Sequence, residues 1–251
     1  QQQEVGRTGL VAAAVSDCGD LADLGRAILD HGGDVSVSSV RIDALTADQV
    51  SVLAEAGHKT LALAPEAGSQ QMRDVINKGF DEEQIIAAVK LLADGGIPNL
   101  KLYFMIGLPT ETWEDVEAIV DLARKARNEA GPMARRVQIN VSVGTFVPKP
   151  HTPFPWEPQL TLAQSRERIN RLKSLLPRKG FKLKWHDPNQ SYLEGVFSRG
   201  DRRLSSLIET AWKSGVRLDG WSEHYRLENW LQAAESCGID LDLYLQARDL
   251  E

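Results

Sequence analysis

Five apolar runs of strand length punctuate the chain: Gly9–Ser16 (GLVAAAVS), Val35–Arg41 (VSVSSVR), Thr60–Pro65 (TLALAP), Leu100–Ile106 (LKLYFMI) and Val137–Phe146 (VQINVSVGTF). Val, Ile and Leu dominate them, as expected of side chains that fit a pleated, half-buried surface. The stretches between them carry helix start and stop signals. Thr46 with Gln49, Asp81 with Gln84 and Thr161 with Gln164 have the spacing of capping boxes, in which a side-chain oxygen and an amide satisfy free groups of the first turn. Gly32-Gly33, Gly57, Gly95-Gly96 and Gly180 stand where helices should stop and can supply the left-handed closing residue. Strand–helix alternation through short glycine-bearing links predicts right-handed crossovers and a parallel sheet. No Asn-Gly hairpin turn separates these strands.

After Phe146 the pattern changes. Val147–Pro158 holds Pro148, Pro150, Pro153, Pro155 and Pro158. Proline fixes φ and removes a donor, so this segment reads as an extended connector. Beyond it come one helix near Leu162–Leu176, a short strand at Phe181–Trp185 and a Trp-rich, helical tail. The reading is therefore α/β: a partial parallel (β/α) barrel of TIM-like type over residues 1–158. Residues 159–251 are read as a barrel-closing helix and a helical C-terminal extension.

Strand alternation sorts the side chains. Val137, Ile139, Val141 and Val143 share one face of the fifth run, and Gln138, Asn140 and Ser142 the other. In the fourth, Leu100, Leu102, Phe104 and Ile106 oppose Lys101, Tyr103 and Met105. Leu61, Leu63 and Pro65 of the third oppose Thr60, Ala62, Ala64 and Glu66. In the second, Ser39, Arg41 and Asp43 share a face. If the apolar faces pack on helices, Arg41, Glu66, Lys101, Tyr103, Gln138, Asn140 and Ser142 point toward a common centre. A closed eight-stranded barrel fills that space with branched apolar side chains, so this centre reads as wet and built for a ligand. The alternative is that these groups pair with one another or face solvent in an open sheet.

The balance of charges changes little. Hydrophobic residues make up 42% and charged residues 25%, with a net charge of −6, which argues against non-specific nucleic-acid binding over the whole surface. Cys18 and Cys237 lie far apart and no C-x-x-C occurs, so cysteine ligands of this chain alone cannot hold a cluster or zinc; both read as buried free thiols. No apolar run reaches membrane-spanning length. A cytoplasmic location without membrane partners is expected.

Two stretches have greater specificity: Ala64–Ser69 (APEAGS), ending the third strand, and Met105–Glu111 (MIGLPTE), ending the fourth. Either alone could only shape a strand-to-helix turn, with Ser69 and Thr112 as caps. Together, within HKTLALAPEAGSQQMRDVINKGF, IPNLKLYFMIGLPTET and FVPKPHTPF, they resemble the radical S-adenosylmethionine (radical SAM) superfamily. The likeness is to its Elp3/MiaB/NifB-type core, including members with an N-terminal cobalamin-binding domain. It covers Val5 to Pro158, and SRGDRR at Ser198–Arg203 extends it toward the end.

The resemblance implies a [4Fe–4S] cluster that reduces S-adenosylmethionine (SAM), whose sulfonium bond breaks to release a 5′-deoxyadenosyl radical, with cobalamin as a further cofactor in some members. It places Glu66 and Ser69 at the methionine amino group or ribose and Arg73 at the methionine carboxylate. Ile106, Gly107 and Leu108 would line the adenine, with Ser142 and Thr145 at the edge of the last strand. Arg41, Lys101, Tyr103, Gln138 and Asn140 would line the substrate lumen. Glu111 matches a glutamate of the family, though a carboxylate at a helix start reads equally well. The family's C-x3-C-x2-C segment is absent from these 251 residues. The expectation is thus a fragment lacking the first barrel strand, inactive alone, whose partners are a missing N-terminal segment of the same protein and an unknown substrate, a small molecule or RNA. Two other readings stand beside it: a lyase-type barrel using Lys101 as a Schiff-base amine, and a non-catalytic binding module. Five tryptophans after residue 150, with Arg199, Arg202 and Arg203, read either as core filler of the extension or as an anion-binding surface.

Overall fold

A computed structural model of the chain describes residues 6–11, 15, 18–37 and 40–248. Six strands and nine helices are found among them: β1 (Arg7–Leu10), α1 (Leu21–Asp30), β2 (Asp34–Val37), α2 (Ala47–Glu55), β3 (Thr60–Glu66), α3 (Gln70–Val75), α4 (Glu82–Asp94), β4 (Asn99–Ile106), α5 (Trp113–Glu129), β5 (Gln138–Thr145), α6 (Leu162–Leu175), β6 (Phe181–Trp185), α7 (Pro188–Arg199), α8 (Leu204–Lys213) and α9 (Leu227–Cys237). β1 pairs with β2 in parallel, and a second sheet runs β3-β4-β5-β6. Parallel register joins β3 to β4 and β5 to β6. The Gln138 amide donates to Pro98 O at 2.9 Å and that of Phe146 to Ile106 O at 2.8 Å. Both ends of β5 thus run alongside the matching ends of β4, in parallel. The α/β class with parallel sheets is what the chain adopts.

The boundaries differ instructively. β1 ends at Leu10, earlier than the run 9–16, and Val11 is 90% exposed; residues 12–14, 16 and 17 lie outside the described residues. β2 is described as far as Val37, residues 38 and 39 lie outside the described residues, and Val40 N–H donates to Ala62 O of β3 at 3.4 Å. Phe181–Trp185, read from sequence as part of the C-terminal extension, is instead the edge strand of the larger sheet.

The helix signals are observed as expected. Thr46/Gln49 and Asp81/Gln84 form reciprocal capping boxes, Thr161 accepts from the Gln164 amide, and Thr112 with Asp115 forms a further box. Gly32, Gly57, Gly96 and Gly180 all have φ between 76 and 88°, a region an L side chain enters at a cost of about 1–2 kcal/mol.

The chain divides into two compact units interleaved along the sequence. One takes Gln1–Met105, Glu111–Val143 and Asn170–Trp185; the other takes Ile106–Thr110, Gly144–Ile169 and His186–Glu251. In the first, Leu100, Leu102, Ile139 and Val141 are fully buried, as are Ile85, Leu92 and Val116 of α4 and α5. At about 1.5–3 kcal/mol per fully buried aliphatic side chain, this face anchors the sheet. In the second, Tyr192, Val196, Leu207, Tyr225, Trp230 and Leu245 share a core. Of the five late tryptophans only Trp230 is buried; Trp156, Trp185, Trp212 and Trp221 are 44–63% exposed, so core filling does not account for them.

Candidate functional site

Strand β3 ends irregularly. Its register with β4 shifts between Leu63 and Glu66, and Glu66 has φ 66°. A non-glycine residue held in the left-handed region marks stored strain, which clusters at functional sites. The half-buried Glu66 carboxylate accepts from Lys78 Nζ at 3.1 Å. Arg41 donates to Asp43 through Nε at 2.9 Å and through Nη2. That hydrogen bond, above all other causes, holds the Asp43 carboxyl below the usual carboxylate range, and Lys78 adds to it. Two acids and two bases therefore gather where β3 ends. Ser39, assigned from sequence to the face of Arg41, lies outside the described residues.

The loop after Glu66 is braced by its own motif residues. Ser69 caps α3, accepting from the Met72 amide at 3.2 Å, and its hydroxyl donates to Asp115 Oδ1 at 2.6 Å. Burial raises the affinity of Asp115 for a proton, but the Ser69 and Thr112 hydrogen bonds outweigh it and its pKa is lowered. Arg73 is 1% exposed. Its Nη1 donates to Ala67 O and Gly68 O, both at 3.0 Å, and Nη2 to Gln70 Oε1 at 2.9 Å. The sequence placed Ser69 and Arg73 on a ligand; the structure gives both a set of protein partners. A Cβ on Gly68 would lie 2.2 Å from the Ile119 backbone nitrogen, so only glycine lets this loop touch α5.

The open face of the sheet lies in the same unit. Burial alternates along β4 and β5 as the sequence pattern requires, leaving Lys101, Tyr103, Gln138, Asn140 and Ser142 half-buried or exposed. Lys101 Nζ donates to Tyr103 Oη at 3.2 Å and stands 5.4 Å from that ring. β6 adds Lys182 beside Asn140 and Lys184 beside Ser142. Sequence reasoning missed these two lysines; their signal was the alternation of Phe181, Leu183 and Trp185 with Lys. It also missed Asp115, whose signal was the T-x-x-D spacing after Thr112, and Lys78, for which no sequence signal existed.

The second unit holds the other candidates. Gly107 has φ 82°, and a Cβ there would meet Leu160 Cγ at 2.4 Å. Ile106 and Leu108 are buried beside it. Thr145 is buried, and its Oγ1 finds no hydrogen-bond partner among the described residues. Ser142 and Thr145, expected to act together, are three residues apart on one strand and so occupy opposite faces. Glu111, in the first unit, directly precedes the cap of α5.

Cys18 is exposed and Cys237 half-buried, so neither is buried as read from sequence, and Cys237 donates to Thr210 Oγ1 at 3.2 Å. No group of three or more His, Cys, Asp or Glu side chains among the described residues is arranged to hold a metal ion. No helix among them is long and apolar enough to cross a membrane.

The chain is 32% identical over 236 residues to an uncharacterized protein of Methanocaldococcus jannaschii, covering 94% of this chain and 51% of that one. It is 33% identical over 104 residues to an uncharacterized methyltransferase of Pyrococcus horikoshii, covering 41% and 22%. The chain thus spans about half, or less, of the relatives it matches. Among solved structures it is similar to coproporphyrinogen III oxidase from Escherichia coli, a radical SAM enzyme, with TM-score 0.44 and 16% identity over 61% of this chain and 37% of that one. The sequence profile of the radical SAM superfamily matches residues 10–123, a span that holds the β3 end with Glu66, its loop and the Ile106–Leu108 turn. Over residues 10–123, then, the chain is similar to the radical SAM superfamily.

Proposed function

We propose that this chain is the SAM-binding and substrate-facing part of a radical SAM enzyme, completed by a further segment of the same protein. SAM, reduced through the superfamily's [4Fe–4S] cluster, supplies a 5′-deoxyadenosyl radical for hydrogen abstraction from substrate. The residues of this chain do not fit the cluster: three thiolates are needed, and Cys18 and Cys237 are the only cysteines. We therefore assign its ligands to residues outside these 251, and the protein to the reducing cytoplasm that such a cluster requires.

The residues do fit SAM. The observation that carries this assignment is the buried, unpartnered Thr145 hydroxyl. Such a group costs about 1–3 kcal/mol, a cost that a bound ligand offering a polar atom would offset. The backbone of Ile106–Leu108 offers peptide groups and apolar surface to an adenine ring.

Equilibrium dialysis with labelled SAM tests the assignment. Thr145→Val should weaken SAM binding about tenfold while raising the stability of the ligand-free protein by about 1 kcal/mol. SAM affinity unchanged in the Thr145→Val variant would overturn the proposal.

A further inference from the structure

The polar face of β4–β6 is basic in a chain whose net charge is −6. Asn140 aligns with Lys182 and Ser142 with Lys184. The Gln138–Pro98 hydrogen bond sets β5 against β4 so that Asn140 also flanks Lys101, and Ser142 flanks Tyr103. Two rows result: Lys101, Asn140, Lys182, and one step further along, Tyr103, Ser142, Lys184. Among the described residues no carboxylate lies in ion-pair reach of these three lysines. Elsewhere, Lys78, Lys90, Lys125, Lys149 and Lys213 each pair with a Glu or Asp, and of the lysines without an ion pair among the described residues it is Lys101, Lys182 and Lys184 that share one sheet face. Like charges held together on one face without counter-charges repel, and a bound anion would relieve that repulsion.

We propose that this face binds an anionic group of the substrate, a phosphate or a carboxylate. The inference rests on the reading that the open face receives substrate, and it adds the substrate's charge class. Lys182 and Lys184 are roughly 7 Å apart along their strand, and Lys101 is roughly 10 Å away across two strand spacings. Flexible lysine stems can converge over that triangle on one compact anion. The Asn140 amide and the Ser142 and Tyr103 hydroxyls supply neutral donors between the charges, and Lys101 already orients the Tyr103 hydroxyl from 3.2 Å.

Titration calorimetry of pyrophosphate and of citrate into the 251-residue chain tests this. At least one should bind, more weakly as salt is raised, and the stronger binder identifies phosphate or carboxylate as the group recognised. Lys101→Met should lower the affinity about fivefold and Lys182→Gln/Lys184→Gln about 25-fold, while Lys182→Arg/Lys184→Arg keeps the charge and retains binding. Lys90→Gln, on α4, should leave binding unchanged. Absence of binding by either probe, or binding indifferent to the Lys182→Gln/Lys184→Gln pair, would overturn the proposal. SAM dialysis on the same proteins separates the two ideas. SAM binding without anion binding sinks the substrate class alone, whereas lysine-dependent anion binding without SAM binding supports this face and sinks the assignment of SAM to this chain.

Discussion

Replacing Ser69 with Ala removes two hydrogen bonds at once, and their sizes can be worked out separately. The first is the cap of α3, the 3.2 Å bond accepted from the Met72 amide. Ser→Ala at such a position costs about 1 kcal/mol. The second is the 2.6 Å bond donated to Asp115 Oδ1. Asp115 is 8% exposed; its Oδ2 keeps the Thr112 amide and hydroxyl, both at 2.9 Å, but Oδ1 loses its only observed donor. A buried acceptor left unmet adds about 1–3 kcal/mol, so the total is about 2–4 kcal/mol. The second part depends on pH. Asp115 titrates below its unfolded value of about 3.9. A depressed carboxyl pKa contributes stability that is complete above the unfolded value and lost as pH falls through the folded one. Urea denaturation at pH 7 should therefore show the full loss, and at the acid end the difference from wild type should shrink toward the cap term. Hydrogen exchange should accelerate at the Met72 amide. A loss under 0.5 kcal/mol at neutral pH, or one that does not change on acidification, would refute the assignment of Ser69 to the loop's frame.

Two further outcomes follow from the other unit. Gly107→Ala forces an L side chain into φ 82° and against Leu160 Cγ at 2.4 Å, and should destabilise by about 2–4 kcal/mol. Adding Leu160→Ala should recover the steric part but leave about 1 kcal/mol of backbone strain, a coupling that a double-mutant cycle measures. Burial pushes Tyr192 and Tyr225 far above the ordinary phenol pKa, helped in Tyr192 by its 2.7 Å bond to Asp242 and in Tyr225 by nearby Asp187. A folded pKa raised above the unfolded value of about 10 gives stability present below pH 10 and lost as pH climbs beyond it. Absorbance at 295 nm should show both phenols ionising only as the far-ultraviolet dichroism collapses. Ionisation of more than two of the four tyrosines while that dichroism is intact would contradict this.

Alternation made the sheet legible in advance. Leu100, Leu102, Phe104 and Ile106 had to face helices because any register slip would expose all four, and the opposite face followed from the same period. Capping boxes at Thr46, Asp81 and Thr161 were legible because they are local, needing only the next three residues. What could not be read was non-local. That Phe181–Trp185 joins the sheet depends on pairing with Ile139–Val143, more than 40 residues earlier in sequence. Val11 of the first run is apolar yet exposed, because apolar character alone does not bury a side chain. The candidate site divided in the same way. Lys101, Tyr103, Gln138 and Asn140 occupy the face their spacing assigned. The bond from Ser69 to Asp115 spans 46 residues and has no trace in either segment alone.

That bond bears on what a sequence motif means. APEAGS can be matched as one string, yet its residues have different physical duties. Gly68 is required because a single added carbon would strike the α5 backbone at 2.2 Å. Ser69 ties the loop to α5, and Arg73 closes it from below by filling the carbonyls of Ala67 and Gly68. These three bonds and one close contact fix the segment that immediately follows Glu66. Glu66 itself sits at φ 66°, where an L residue is strained by about 1–2 kcal/mol, and glycine would relieve the strain. The carboxylate is kept there nonetheless, half-buried and directed at a lysine twelve residues on. Strain retained in a braced loop argues that the carboxylate's position, not the loop's stability, is what the surrounding motif maintains.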